Sequence, residues 1–294
     1  MKLQSIFTGF LVLTLALIAC NPSKDSKKDG SDEFSDAEKN LKNKLDSFVY
    51  NIPSPTEIPY LLASTGAEFN ASLINDKKFA AQYGAKTEKA ALNLGVYAAD
   101  IGYLSSYEKT QETIDYINTC KSLADILGII GSFDLEVMKK FEDNVSNKDS
   151  LAALLDQTLK QADKYLRNDS RNKLAALIVT GSFVEGLYIS TGLVKTYPKD
   201  LLPADQRNLI LTPLMRIILD QKTSIAELLR MLQTVDQADP VKGIVTDLTA
   251  LQTSYNTLNI EEQIKNNRSD LVLTDKSLTE ITNIVEKLRK GITQ

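Results

Sequence analysis

The chain has no histidine and no tryptophan among its 294 residues. Without histidine, both the commonest general base and the commonest nitrogen ligand for metals are missing. Ser-His-Asp and Cys-His hydrolysis, HExxH metalloproteases and facial-triad oxygenases are therefore excluded. P-loop, Gly-rich dinucleotide and EF-hand signatures are absent as well. No convincing run of strand alternation occurs, and the one Asp-Gly pair, Asp29-Gly30, does not separate apolar runs. The formal net charge of −4 gives no reason to expect a nucleic-acid partner. Two chemistries survive this filter: a carboxylate-only site for a hard cation, and glycoside chemistry on two carboxylates. No metal centre, cofactor or catalytic residue is expected from the motifs present.

The chain opens with "MKLQSIFTGFLVLTLALIAC", in which a lone Lys2 precedes an apolar run from about Ile6 to Ile18 and a small residue precedes Cys20. The run is short for a permanent bilayer span but suits a secretory leader. Leu17-Ile18-Ala19-Cys20 resembles the lipobox of bacterial lipoproteins. That resemblance covers these twenty residues only. It implies that residues 1–19 are a signal peptide and that Cys20 becomes the lipidated N-terminus of a cell-envelope protein. Several acyl chains on one residue make a stable membrane anchor, where a single chain would be marginal. Residues 20–35 continue as "CNPSKDSKKDGSDEFS", polar and without hydrophobic periodicity, and read as a flexible tether. Asn21, rather than Asp, follows the lipidated position; by analogy with enteric sorting this favours the outer membrane, facing either the periplasm or the exterior. Loss of the leader leaves Cys120 without a cysteine partner in the chain, and it reads as a small buried apolar residue.

From residue 36 to residue 294 the punctuation is helical, and a single all-α domain of roughly ten helices is expected. Starts are marked at Ser54-Pro55-Thr56-Glu57, Ser146-x-x-Asp149, Asp239-Pro240 and Ser277-x-x-Glu280, with the last helix stopping at Gly291. Apolar residues recur at helical spacing, as in Leu151, Leu154, Leu155 and Leu159, or Ile281, Ile284, Val285 and Leu288. The longest connection is expected at 195–208, which holds two prolines. Pro213 should either start a new helix after Thr212 or kink a long one.

One string recurs. At an offset of 85, "AADIGYLSS" around Asp100 matches the stretch around Glu185, with Tyr103 meeting Tyr188. A second match, "SLADIL" at 122–127 and "SIAELL" at 224–229, follows in the same order. Either a helical unit is duplicated, with pseudo-repeats at about 55–145 and 146–260, or helices of like composition resemble one another. Helical wheels separate the two carboxylates. Asp100 shares a polar, aromatic face with Lys89, Asn93, Val96, Tyr97, Tyr103, Leu104 and Tyr107, and is expected at a surface or groove. The opposite face, with Ala91, Leu94, Gly95, Ala98, Ile101 and Gly102, is small enough for close approach of another helix. Glu185 lies on a helix apolar all round and should be buried, with Tyr188 as local donor and Arg216 as candidate ion partner.

Imelysin-like envelope proteins share export, an anchor and a helical body, but they carry a His-x-x-Glu motif that a chain without histidine cannot have. Two functions follow as expectations. The first is a membrane-anchored, non-catalytic helical scaffold or interaction module with an envelope protein as partner. The second is a ligand- or cation-binding lipoprotein with a groove between the helical units, in which Asp100, Tyr103, Glu185 and Tyr188 form the polar cluster, joined by Tyr97.

Overall fold

The computed structural model describes residues 66–129, 135–168, 171–198, 201–258 and 276–294, with isolated positions at 63 and 266. The lipobox, Cys20, the tether and the helix start at Ser54 lie outside the described residues. Among the described residues every regular element is helical, and the chain is an all-α multi-helix bundle. Nine α-helices are described: α1 Ala80–Tyr83, α2 Thr87–Ser106, α3 Thr110–Ile126, α4 Leu135–Asn144, α5 Lys148–Asn168, α6 Asn172–Thr196, α7 Ala204–Gln233, α8 Val241–Thr257 and α9 Lys276–Thr293. Short 3-10 turns at Ala71–Leu73 and Lys77–Phe79 precede α1.

The centre of the bundle is the pair α2 and α6, the most extensive helix contact among the described residues. Their partners advance together along both chains. Glu88 reaches Lys173 at 3.2 Å, Leu92 faces Gly181, and Asp100 meets Glu185. The two helices therefore run parallel, which requires the return path through α3, α4 and α5. Approach is closest at two glycines. A Cβ on Gly95 would sit 2.0 Å from the Ile178 carbonyl oxygen, and one on Gly181 would sit 1.9 Å from that of Leu92. Only glycine lets the backbones come this near. The small-residue face expected of α2 is thus borne out at Gly95.

Every residue from Ala90 to Ser106 is buried, as is most of α6. α6 is long and apolar enough to cross a membrane, but 78% of that stretch lies inside the bundle, as a core helix would. α3 packs on α2; α8 packs against both α7 and α9, and α7 and α9 each also pack against α6. The leucine stripe of α5 and the Ile281–Leu288 stripe of α9 both face the core.

Several boundaries differ from the sequence expectation. The cap of α5 is Asn147, whose Oδ1 accepts from the Ser150 amide at 3.0 Å, rather than Ser146. α8 begins at Val241, just past Pro240, without a side-chain cap. α9 begins at Lys276 and runs through Gly291 to Thr293, because an exposed glycine with nothing near it does not need a left-handed turn. The connection expected at 195–208 shrinks to residues 197–203, since α6 ends at Thr196 and α7 begins at Ala204. Of the two alternatives at Pro213, the structure has one continuous helix passing through that position.

Candidate functional site

Asp100 is the first surprise. It was expected at a surface or groove, yet its exposure is 0%, as is that of Glu185. The polar face of α2 is covered by residues 66–79, a largely non-helical strap. Irregular chain cannot satisfy its own amides and carbonyls, so buried backbone of this kind needs side-chain partners. The polar residues of α2 and α3 supply them. Asp100 Oδ2 accepts from the Asn75 amide at 3.1 Å, and Tyr103 Oη from the Asn70 amide at 2.9 Å. Tyr97 donates to the Asp76 carbonyl at 3.1 Å and Tyr116 to the Asn75 carbonyl at 3.0 Å. A face that reads as solvated is instead a set of surrogate waters for a backbone.

Glu185 is buried as expected, but its ion partner is not Arg216, which is exposed on α7 beside Asp220. The partner is Arg289 on α9. Its Nε and Nη2 donate to the two carboxylate oxygens of Glu185, each at 3.0 Å, a bidentate pair. Tyr188 is not a donor to Glu185; its ring lies under the Arg289 guanidinium, 4.5 Å from the Cζ atom. Tyr188 and Glu185 thus hold one arginine between them, one turn of α6 apart.

Asp100 and Glu185 are within hydrogen-bonding reach of each other, and two carboxylates cannot both stay charged there. Burial pushes the Asp100 carboxyl well up, and the nearby Glu185 charge pushes it further. Burial also raises Glu185, but the Arg289 guanidinium and the hydrogen bond from Asp100 pull it back. The proton therefore belongs to Asp100. Its natural seat is Oδ1, a buried oxygen that receives no donor. Arg289 remains charged, because Glu185 outweighs the cost of its burial.

An amide network extends the cluster. Asn93 donates to the carbonyls of Lys89 and Ile292, at 3.0 and 3.1 Å, and accepts from Asn75 Nδ2 at 3.4 Å. Tyr83 donates to the Thr293 carbonyl at 2.8 Å. The strap, α2, α6 and the last turn of α9 are tied at one place. Cys120 is buried beside it, its thiol pushed up by burial and by Asp100.

Of the expected cluster, Asp100, Glu185 and Tyr188 meet at Arg289, whereas Tyr103 is bonded to the strap at Asn70; the four do not line a groove between α2 and α6, whose backbones touch. Sequence reasoning missed Arg289, Asn75 and Tyr116. Arg289 did leave a signal: residues 281, 285 and 289 stand at i, i+4 and i+8, so it lies on the apolar stripe of its own helix. Chemically, a shared proton beside a guanidinium resembles an acid–base pair. Here both carboxyls are sealed from solvent, and the guanidinium is spent on Glu185 and Tyr188. Among the described residues no group of three or more Cys, Asp or Glu could hold a metal ion. Comparison with protein-family models, with curated proteins and with solved structures finds no match for the chain.

Proposed function

We propose that this chain is a membrane-anchored, non-catalytic interaction module of the bacterial cell envelope. The observation that carries the reading is the sealed Asp100–Glu185–Arg289 cluster. Buried carboxyls with raised pKa, such as Asp100 and Glu185, would be the first candidates for chemistry. Both are 0% exposed, and their hydrogen bonds go to the strap, to each other and to α9. Such a cluster fixes which segments pack together, a role in which buried charge serves specificity. The lipobox-like Leu17-Ile18-Ala19-Cys20 supports lipid attachment at Cys20, the polar stretch to residue 35 supports a domain held off the membrane, and Asn21 after the lipidated position favours the outer membrane.

The test is crosslinking in native membranes, with a photoreactive residue placed at exposed positions such as Leu209, followed by mass spectrometry of the adducts. Reproducible adducts with one envelope protein are expected. A chain that stays monomeric and free of adducts at every position would overturn the reading. Cys20→Ser should release the chain from the membrane fraction.

A further inference from the structure

The strap is held in an unusual way. Of residues 66–79 only Leu73 and Asn75 are buried. The hydrogen bonds it makes with Tyr97, Asp100, Tyr103 and Tyr116 all involve its backbone, at Asn70, Asn75 and Asp76: two amides donate to Tyr103 and Asp100, and two carbonyls accept from Tyr97 and Tyr116. Backbone recognition of this kind is indifferent to sequence. Sequence is read at two sockets. Leu73 fills one, its Cδ2 only 2.6 Å from where a Cβ on Gly192 would stand, so that glycine is what makes room for it. The Asn75 amide fills the other, between Tyr83 and Asn93 at 3.2 and 3.4 Å. Between them Ile74 is extended, with φ −100° and ψ 156°.

We infer that the face of α2, α3 and α6 under the strap is a peptide-binding trough, occupied in this structure by the chain's own residues 70–76. The partner it takes is a protein segment carrying a leucine-sized apolar residue two positions before an asparagine. This inference rests on the interaction-module reading and names that module's partner. The walls belong to helices packed in the core, whereas the strap's own residues, Leu73 and Asn75 apart, are exposed or half-buried, with Phe69, Ile74 and Phe79 only partly covered where they pack on the core. A resident segment competes at the high effective concentration of an intramolecular ligand. A partner in trans therefore gains access in proportion to the fraction of time the strap is away. The strap is then an autoinhibitory occupant.

The probe is a fluorescein-labelled peptide, FNASLINDK, matching residues 69–77, with anisotropy read on the full chain in detergent micelles. Wild type should bind it weakly. The strap variant Leu73→Ala/Asn75→Ala, with the trough intact, should bind at least about tenfold tighter, by the population arithmetic above. A peptide with alanine at the leucine and second asparagine positions should lose that binding, as should the strap variant carrying Tyr97→Phe and Tyr116→Phe. Gly192→Ala provides a milder release, crowding only Leu73. Hydrogen exchange accompanies each variant. Free exchange at 66–79 with α2 and α6 still protected, and no peptide binding, overturns the trough. So does loss of α2 protection together with the strap, because the strap is then part of the fold and not an occupant. So does binding indifferent to the leucine and asparagine. If membrane crosslinks to a partner persist while peptide binding fails, the trough alone is wrong; if no partner crosslinks form, the module reading fails independently.

Discussion

Replacing Asp100 by asparagine tests where the proton of the buried cluster resides. Asparagine copies a protonated aspartate in shape and in bonding: one oxygen to accept from the Asn75 amide, and an NH2 group where the O–H would be. If Asp100 Oδ1 carries a proton directed at Glu185, Asp100→Asn keeps both contacts and should cost less than about 1 kcal/mol at acidic pH. Asp100→Ala removes both. It leaves the Asn75 amide and a Glu185 oxygen short of a partner in the core, for a loss of about 2–4 kcal/mol.

The pH dependence sharpens the contrast. Unfolded, Asp100 titrates near the ordinary value of about 3.9; folded, burial and Glu185 hold it well above that. Between those two values the folded state binds the extra proton, so its contribution to stability is complete below the unfolded value and is lost as pH rises toward the folded one. The slope for this single group reaches about 1.4 kcal/mol per pH unit. The asparagine variant lacks this term. Its stability relative to wild type should therefore climb from about pH 4 upward until the folded Asp100 ionises. Urea unfolding followed by far-UV circular dichroism at a series of pH values measures the difference directly. Equal destabilisation by Asp100→Asn and Asp100→Ala, flat with pH, would refute the assignment and leave Asp100 as a native carboxylate.

Three further outcomes follow from the same contacts. Arg289→Met should destabilise by about 3–5 kcal/mol, because it strands Glu185 as an unpaired buried charge; the double variant with Glu185→Gln should cost less than the sum of the singles, in the same urea titration. Gly181→Ala should cost about 3 kcal/mol or more by forcing α2 and α6 apart, whereas Gly243→Ala, on an exposed helical position with nothing near its Cβ, should gain up to about 1 kcal/mol. Cys120, buried with its thiol pushed up, should resist maleimide labelling in the native state and react only as fast as the chain unfolds.

Most of the architecture was legible. The apolar stripes of α5 and α9 and the all-round apolarity of α6 are periodic signals that tertiary packing has no reason to override. Element ends were less so. Asn147 and Ser146 are both good caps, and composition does not choose between neighbours. Gly291 marks a stop only where a left-handed residue is needed, and here the helix simply continues. Glu185 could be placed inside because its whole helix is apolar. Its partner could not be named, since Arg216 and Arg289 are both on amphipathic stretches and only the packing of α9 against α6 brings one of them near.

The failure at Asp100 has a physical cause that the sequence does hint at. A helix face bathed in water is normally rich in long, fully hydrated charges, chiefly Lys and Glu. Apart from the apolar Val96 and Leu104, the face around Asp100 offers a single lysine, Lys89, and then Asn93, Tyr97, Tyr103 and Tyr107, short amides and phenols that reach a fixed distance and carry one or two hydrogen bonds each. Such residues are poor at solubilising a surface and well suited to satisfying a buried backbone. A wheel reports only that a face is polar, and polarity alone suggests solvent. The kind of polarity carries more information: tyrosine and asparagine at helical spacing, with one acid among them, describe a surface made to bind something with amides and carbonyls to satisfy. In this structure that something is residues 70–76 of the same chain.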